Sequence, residues 1–435
     1  MSLGNPWETA LVGFGALTFF MTVGVPIAFA MILVGAGGIA LLLGIGPALG
    51  MLGQIPVSNT MSYELSVVPM FIFMGALIAR SGIADDLYDV CHAFIGHRRG
   101  GLAMATIMAC GGFAAVCGSA IATAATFSRV SYPSMRRFGY HQGLAAASIC
   151  AGGTLGILIP PSVIMVIYGI MTGTNIAKLF LAGVLPGVLA VLLYMATVLV
   201  LVWRRPEAGP RAERVPWARR IEGLGKVGPV VALFVLILGG LYFGIFTATE
   251  AAGIGASGAL AFALLRRRID LAGLMTCAVE TVRISGSLFA ILIGALLFSA
   301  YMNIGGLPRA LEAFVTGFGV EPLLVVGVIC VLYVVLGTFF EELSMILLTV
   351  PIFFPLVLKL GYDPIWFGIV IVMVVELGLI SPPVGMNLFV VQNMLNVPVG
   401  MLYRWITPFV VADCIRLALI VFFPAIVLLL PRLMS

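Results

Sequence analysis

The chain has 435 residues, 62% of them hydrophobic and only 9% charged, with a net charge of +5. A soluble protein carries roughly 25% charged residues, whereas here apolar runs of about 20 residues, the length that crosses a bilayer, recur from end to end. A soluble enzyme is excluded, and so is an outer-membrane barrel, whose segments would alternate instead of running continuously apolar; what remains is a polytopic helical membrane protein.

No basic residue precedes Arg80. The first apolar stretch therefore lacks the charged n-region of a cleaved signal and reads as a retained span, and residues 1–100 read as scaffold helices. The next segment is bounded by Arg98-Arg99 and Arg136-Arg137, so both of its ends belong on the cytoplasmic side. The apolar, Gly- and Ala-rich stretch between them is too short for two full spans. It is expected to be a re-entrant hairpin with its tip at Cys117-Gly118-Ser119. Beyond it, "GTLGILIPPSVIMVIYG" places Pro160-Pro161 inside an apolar run. Proline removes a backbone donor and clashes with the preceding turn, so a broken helix is expected. Residues 101–203 thus form a first transport half.

Residues 204–226 carry Arg204, Arg205, Arg211, Arg214, Arg219, Arg220 and Lys226, and read as a cytoplasmic loop. Two spans follow, about 229–246 and 249–265, returning to Arg266-Arg267-Arg268; residues 227–321 read as further scaffold. In the turn "TATE", Thr247 and Glu250 have capping-box spacing, a role as well matched to Glu250 as one in transport. Residues 322–435 form a second transport half. Its hairpin, about 322–358, has acidic Glu312 and Glu321 before it and only Lys359 near its end, which places it on the opposite side. A second broken helix follows at Pro382-Pro383 in "ELGLISPPVGMNLFVV".

The two halves repeat. Gly75-Ala76-Leu77 recurs as Gly294-Ala295-Leu296, Gly118 as Gly337, "LGILIPP" from Leu155 as "LGLISPP" from Leu377, and Pro186 as Pro408, at offsets of 219 to 222. Opposite flanking charge makes the repeat inverted. Two inverted halves, each with a re-entrant hairpin and a broken helix, are the plan of a secondary transporter. Backbone freed at the breaks must be satisfied by protein, ions or water, because lipid offers no partner. Glycines let backbone approach an ion closely. Carbonyls at half-helix C-ends suit a small cation, and half-helix N-termini suit an anion. Ser119, Thr123 and Thr154 are either such ligands or ordinary interhelical hydrogen-bonders. Glu341, Glu342 and Glu376 are intramembrane carboxylates, functional by default, although one of the Glu341-Glu342 pair can instead face water at a loop.

Other chemistries lack their residues. The seven cysteines form no CxxC pair and read as buried thiols. His92, His97 and His141 lie near basic residues at expected interfaces. No P-loop motif exists, so ATP use is not expected, and no zinc-protease or nucleophile-elbow motif marks an enzyme. Asp85-Asp86 is the only close Asp pair, and Asp413 stands alone. The positive charge reports topology, not nucleic-acid binding.

"FAAVCGSAIATAA", "YPSMRRFGY", "LFLAGVLPG", "GIFTATEAA" and "PIFFPLVLKLGYDPIWFGIVIVMVVELGLISPPVGMNLFVV", with "LSVVPMFIFMG", resemble the large membrane subunit of tripartite ATP-independent periplasmic (TRAP) transporters over about residues 20–430. The resemblance implies an all-α elevator-type fold of the bacterial inner membrane and sodium-coupled import of an organic acid. It implies two partners, a small four-helix membrane subunit and a periplasmic substrate-binding protein. Sodium is the coupling ion and no other cofactor is implied. By the same resemblance, one sodium lies between Cys117, Gly118, Ser119 and Gly153-Thr154. A second lies between Gly337, Thr338, Glu341 and the stretch from Ser381 to Gly385. The substrate carboxylate lies against Ser119, Thr123, Pro161, Ser162, Pro383 and Asn387. Two departures stand out: the family's Ser-Ser after the hairpin glycine is Ser119-Ala120 here, and a family Asp near the second tip is Glu341. A stand-alone carboxylate carrier of the wider class would share this architecture without the binding protein.

Overall fold

The structure, a computed structural model, describes residues 5–317, 319–338 and 340–434. Eight helices among these are long and apolar enough to cross a membrane, and several shorter apolar helices accompany them. The chain begins with α1 (Pro6–Thr22), α2 (Ile27–Leu43), α3 (Ile45–Thr60), α4 (Val67–Arg80) and α5 (Ile83–Ile95). The first hairpin is α6 (Gly101–Cys117) and α7 (Ala120–Arg137), turned by Gly118 and Ser119 as the sequence predicts. The first broken helix is α8 (Gln142–Leu158) and α9 (Val163–Thr172), followed by α10 (Ile176–Arg204). Next come α11 (Trp217–Tyr242), α12 (Ala248–Leu265), the long α13 (Leu271–Ile304) and α14 (Leu307–Gly317). The second hairpin is α15 (Pro322–Gly337) and α16 (Glu342–Lys359), the second broken helix α17 (Pro364–Ile380) and α18 (Met386–Leu395), and the chain closes with α19 (Val399–Phe422) and α20 (Ala425–Leu433). Phe339, within the second tip, lies outside the described residues.

The repeat read from the sequence is a repeat of elements: α6 to α10 recur as α15 to α19. The two copies are interlocked. The inner arm of each hairpin crosses to the outer half-helix of the other copy, α7 against α18 and α16 against α9, while α8 packs on α17 at the centre. Nearly every residue of α8 and α17 is buried. Their compositions differ: α8 is rich in Gly and Ala, which lets both arms of the first hairpin lie close, and α17 fills the equivalent space with Ile, Val and Met. Around this core α2 runs along α13 and α12 along α4. The outer helices carry exposed Leu, Val and Phe, such as Leu11, Phe19, Val231 and Val235, as lipid-facing helices must.

A strap over residues 205–216 joins α10 to α11. It folds back on the mouth of the first hairpin, where Gly100 N–H donates to the Gly209 carbonyl (2.9 Å), Ala212 N–H to Gly96 (3.1 Å) and His141 N–H to Ala208 (3.0 Å). His141 also caps α8, its Nδ1 accepting from Gly143 N–H (3.1 Å), and stacks on Trp405. The capping box is formed at the start of α12. Thr247 N–H donates to Glu250 Oε2 (2.8 Å), and Glu250 N–H donates to Thr247 Oγ1 (3.3 Å). Of the Asp85-Asp86 pair, Asp86 is ion-paired with Arg266.

Candidate functional site

Gly118 ends α6 with φ of 67°, a left-handed conformation that glycine adopts without strain. Ser119 then caps α7, its Oγ accepting from Ala122 N–H at 3.3 Å, and the Thr123 hydroxyl donates to the Ser119 carbonyl at 2.7 Å. This tip presses on the first broken helix at two points. A Cβ on Gly118 would come 2.9 Å from the Pro161 carbonyl oxygen, and one on Gly156 would come 2.4 Å from the Ser119 carbonyl oxygen. The residues against the tip are therefore Gly156 and the break itself. Gly153 lies instead against Ala124 on the hairpin arm, and the Thr154 hydroxyl is directed to Glu376 of the other half (2.8 Å). The break bridges Leu158 to Val163, and the Ser162 hydroxyl donates to the Ile157 carbonyl (2.6 Å), satisfying one group the prolines set free.

The second tip repeats the arrangement. Gly337 and Gly378 meet backbone to backbone, a Cβ on Gly378 falling 2.8 Å from the Gly337 Cα. Gly378 is the equivalent of Gly156, 222 positions on. Gly385 N–H donates to the Thr338 carbonyl at 3.4 Å, and the Ser381 hydroxyl donates to Leu377 at 2.7 Å. Glu341 stands at the cap of α16, its Oε2 accepting from the Ser344 hydroxyl at 3.2 Å. Thr338, Ser381 and Gly385 are thus gathered at one place, with Glu341 a few residues along the tip. Both Pro-Pro bonds are cis. Their surroundings differ: Pro160 and Pro161 are buried, whereas Pro382 and Pro383 are exposed, with the Tyr403 hydroxyl donating to the Pro383 carbonyl.

Two side chains near the tips carry buried polar atoms with no protein hydrogen-bond partner among the described residues. Asn387, one residue into α18, is fully buried with neither Oδ1 nor Nδ2 bonded, and Glu342 is buried with Oε2 unbonded. Buried polar groups in native proteins are nearly always hydrogen-bonded, and an amide left bare costs about 1–3 kcal/mol. Asn387 is therefore a buried amide whose hydrogen-bonding capacity the described protein groups leave unused.

A cavity of about 730 Å³ opens between α4, α7, α13 and both tips. It reaches Cys117, Gly118 and Ser119 of the first tip and Glu341 and Glu342 of the second, with Arg80, Arg129 and Glu280 on its walls. Arg80 and Glu280 face each other at 3.9 Å, while Arg129 is in no ion pair among the described residues. Thr123, Pro161, Ser162, Pro383 and Asn387 do not line this cavity; Thr123 lies on the hairpin arm α7, the prolines and Ser162 in the breaks, and Asn387 on α18.

The sequence reading did not foresee the most heavily charged part of the interior. Glu376 on α17 accepts from Thr154 and from Arg416 Nη2 (2.7 Å), while Tyr194 on α10 donates to Asp413 Oδ2 (2.5 Å). Asp413 and Arg416 share one face of α19, 2.8 Å apart. Glu376 and Asp413 were legible as intramembrane acids, but their partner Arg416 was not. The repeat offset was the available signal, because it makes Thr154 the equivalent of Glu376 and Tyr194 the equivalent of Arg416.

Comparison with known proteins agrees with this architecture. Residues 14–426 match the family described as tripartite ATP-independent periplasmic transporter, DctM component. The C4-dicarboxylate TRAP transporter large permease protein DctM of Pseudomonas aeruginosa is 37% identical over 371 residues, 85% of this chain and 86% of that one. The sialic acid TRAP transporter large permease protein SiaM of Vibrio cholerae is 32% identical over 415 residues, 94% and 95% of the two chains. Among solved structures, the YdaH transporter of Alcanivorax borkumensis superposes with a TM-score of 0.61 at 14% identity, covering 86% of this chain and 88% of that one. That likeness concerns the fold alone.

Proposed function

Because the chain belongs to the DctM family of TRAP transporters, we propose that it is the inner-membrane permease of a sodium-coupled importer of an organic acid. A periplasmic protein captures the substrate and docks, a small membrane subunit completes the complex, and the substrate passes between the two hairpin tips. The relatives differ in cargo, C4-dicarboxylates in one and sialic acid in another, and a carboxylate is common to both classes of compound.

The observation that carries this reading is Asn387, a fully buried amide with no protein partner among the described residues, on the half-helix that follows the second break. In that place it suits a substrate carboxylate. Sodium is held by carbonyls at each half-site, the first around Cys117 to Ser119 and the Pro160-Pro161 break, the second around Thr338, Ser381 and Gly385 with Glu341 beside them. Cations there offset the charge of the acid in a low-dielectric site. The interlocked hairpins and broken helices move as one body against the helices around them. Each net charge moved inward gains roughly 2.3 kcal/mol per 100 mV. Two would supply roughly 5 kcal/mol, over a thousandfold accumulation at about 1.4 kcal/mol per decade, with no need for ATP.

The test is uptake into liposomes holding both membrane subunits, with sodium and the binding protein varied independently. Uptake is expected only when both are supplied. Uptake of free substrate without the binding protein would instead identify a stand-alone carrier, and uptake indifferent to sodium would refute the coupling.

A further inference from the structure

The cluster at the centre of the core contains three ionisable side chains that are almost completely withdrawn from solvent: Glu376 and Arg416 at 0% exposure and Asp413 at 2%. Fully ionised, they sum to one negative charge surrounded by apolar helices. An uncompensated buried ion costs several kcal/mol, far more than a hydrogen bond returns. We propose that the cluster holds one resident proton, on the Asp413 carboxyl, and is electrically neutral as built.

The repeat shows which acid is in excess. Thr154 and Tyr194 in the first half occupy the positions of Glu376 and Arg416 in the second. One pair is neutral, its hydroxyls 3.3 Å apart; the other is an ion pair at 2.7 Å. Each pair is balanced by itself. Asp413 has no polar counterpart, because the equivalent position in α10 is Val191. Arginine does not give up its proton in proteins. Glu376 has both oxygens hydrogen-bonded, Oε1 by Thr154 and Oε2 by Arg416. Asp413 accepts a hydrogen bond at Oδ2 from Tyr194, while its Oδ1 shares Arg416 Nη2 as an ion pair at 2.8 Å and has no hydrogen-bond partner among the described residues.

A proton on Asp413 also orders the hydroxyls. Asp413 Oδ2–H donates to the Tyr194 oxygen over the 2.5 Å contact, Tyr194 O–H turns to Thr154 Oγ1 at 3.3 Å, and Thr154 O–H donates to Glu376 Oε1 at 2.8 Å. Every hydroxyl proton then has an acceptor, and the chain ends on the one carboxylate that stays charged. The charged and titratable groups acting on Asp413 are Arg416 from its own helix, Glu376 from α17 and Tyr194 from α10; α8 supplies only the Thr154 hydroxyl. Cys414, its neighbour in sequence, is exposed. The cluster therefore adds no net charge to the core, and its proton is a fixed part of the structure that does not exchange during a transport cycle.

The test is infrared spectroscopy of the full chain in lipid, at several pH values around neutrality. The difference between wild type and Asp413→Asn should contain a protonated-carboxyl band, unchanged across that range. Tyr194→Phe should keep the band and shift it, since the acceptor is lost. Asp413→Asn imitates the neutral acid and should keep the melting temperature and the pH profile of uptake close to wild type. Glu376→Gln removes the acid that balances Arg416, and Asp413, ion-paired with that guanidinium at 2.8 Å, should then give up its proton, so the acid band should disappear from this variant. A carboxylate band in place of the acid band would overturn the proposal. So would an Asp413→Asn protein whose melting temperature falls well below that of wild type, or one whose uptake no longer responds to pH as wild type does. The infrared and melting measurements require no transport, so they stand or fall separately from sodium coupling.

Discussion

Gly156→Ala is a direct probe of the first half-site. The added methyl would lie 2.4 Å from the Ser119 carbonyl oxygen, 2.6 Å from its carbon and 2.9 Å from Thr123 Oγ1. Ordinary contact begins near 3.4 Å, so the hairpin tip must retreat by about 1 Å. Two effects oppose each other. Alanine is a better helix former than glycine by about 1 kcal/mol, whereas forcing a methyl into a filled core costs about 1–3 kcal/mol. The clash is against backbone, which yields less readily than a flexible side chain, so it should win. If the tip carbonyls hold sodium, a net loss of about 1 kcal/mol weakens the apparent sodium affinity by roughly fivefold. The assay is the sodium dependence of uptake in liposomes, read beside the melting temperature. Gly253→Ala serves as control, because a Cβ at Gly253 meets nothing within 4 Å. The twin substitution Gly378→Ala, with its Cβ 2.8 Å from the Gly337 Cα, should behave alike at the second site. If Gly156→Ala leaves both sodium dependence and melting temperature at control values, the tip does not rest on this helix as described.

Asn387→Ala should reduce uptake at least about tenfold, because a site built around a hydrogen bond loses that much or more without it. Its melting temperature should hardly change, since the amide bonds to no protein group; a large fall in melting temperature with uptake preserved would make Asn387 a packing residue. Gly209→Val should free the strap, because even the first side-chain carbon would lie 2.8 Å from Val202 and 3.0 Å from the Gly100 Cα. Limited trypsinolysis should then cut faster at Arg211 and Arg214, and an unchanged cleavage rate would mean that the strap is held by other contacts. Thr247→Ala removes one side of the capping box and should cost about 1 kcal/mol, measured as a lower melting temperature with transport intact.

Charge and glycine carried most of what the sequence disclosed. Arg98-Arg99 and Arg136-Arg137 bound the first hairpin, and the capping box at Thr247 needed only local spacing, so both were readable from the chain. The double prolines marked the breaks because proline acts on its own turn of helix. What escaped reading was the pairing of residues distant in sequence. Which glycine of α8 meets the tip depends on the rotation of that helix in the core. Gly152, Gly153 and Gly156 look alike in sequence, yet they meet Cys110, Ala124 and Ser119 respectively. Arg416 was hidden for a similar reason. On an apolar helix such as α19, which also carries Arg404, an arginine resembles an interfacial anchor until α17 is laid beside it.

A single continuous polypeptide makes this interior possible. If each half were a separate chain assembling with a copy of itself, whatever stood at position 154 would face its own duplicate. Two glutamates would repel each other across the dyad, and two threonines would leave no acid for an arginine. Joining the copies through residues 205–321 allowed the symmetry to be broken at this point, with an ion pair on one side and a hydroxyl pair on the other. Near-twin scaffolds could then diverge at their shared seam without either having to be compatible with itself.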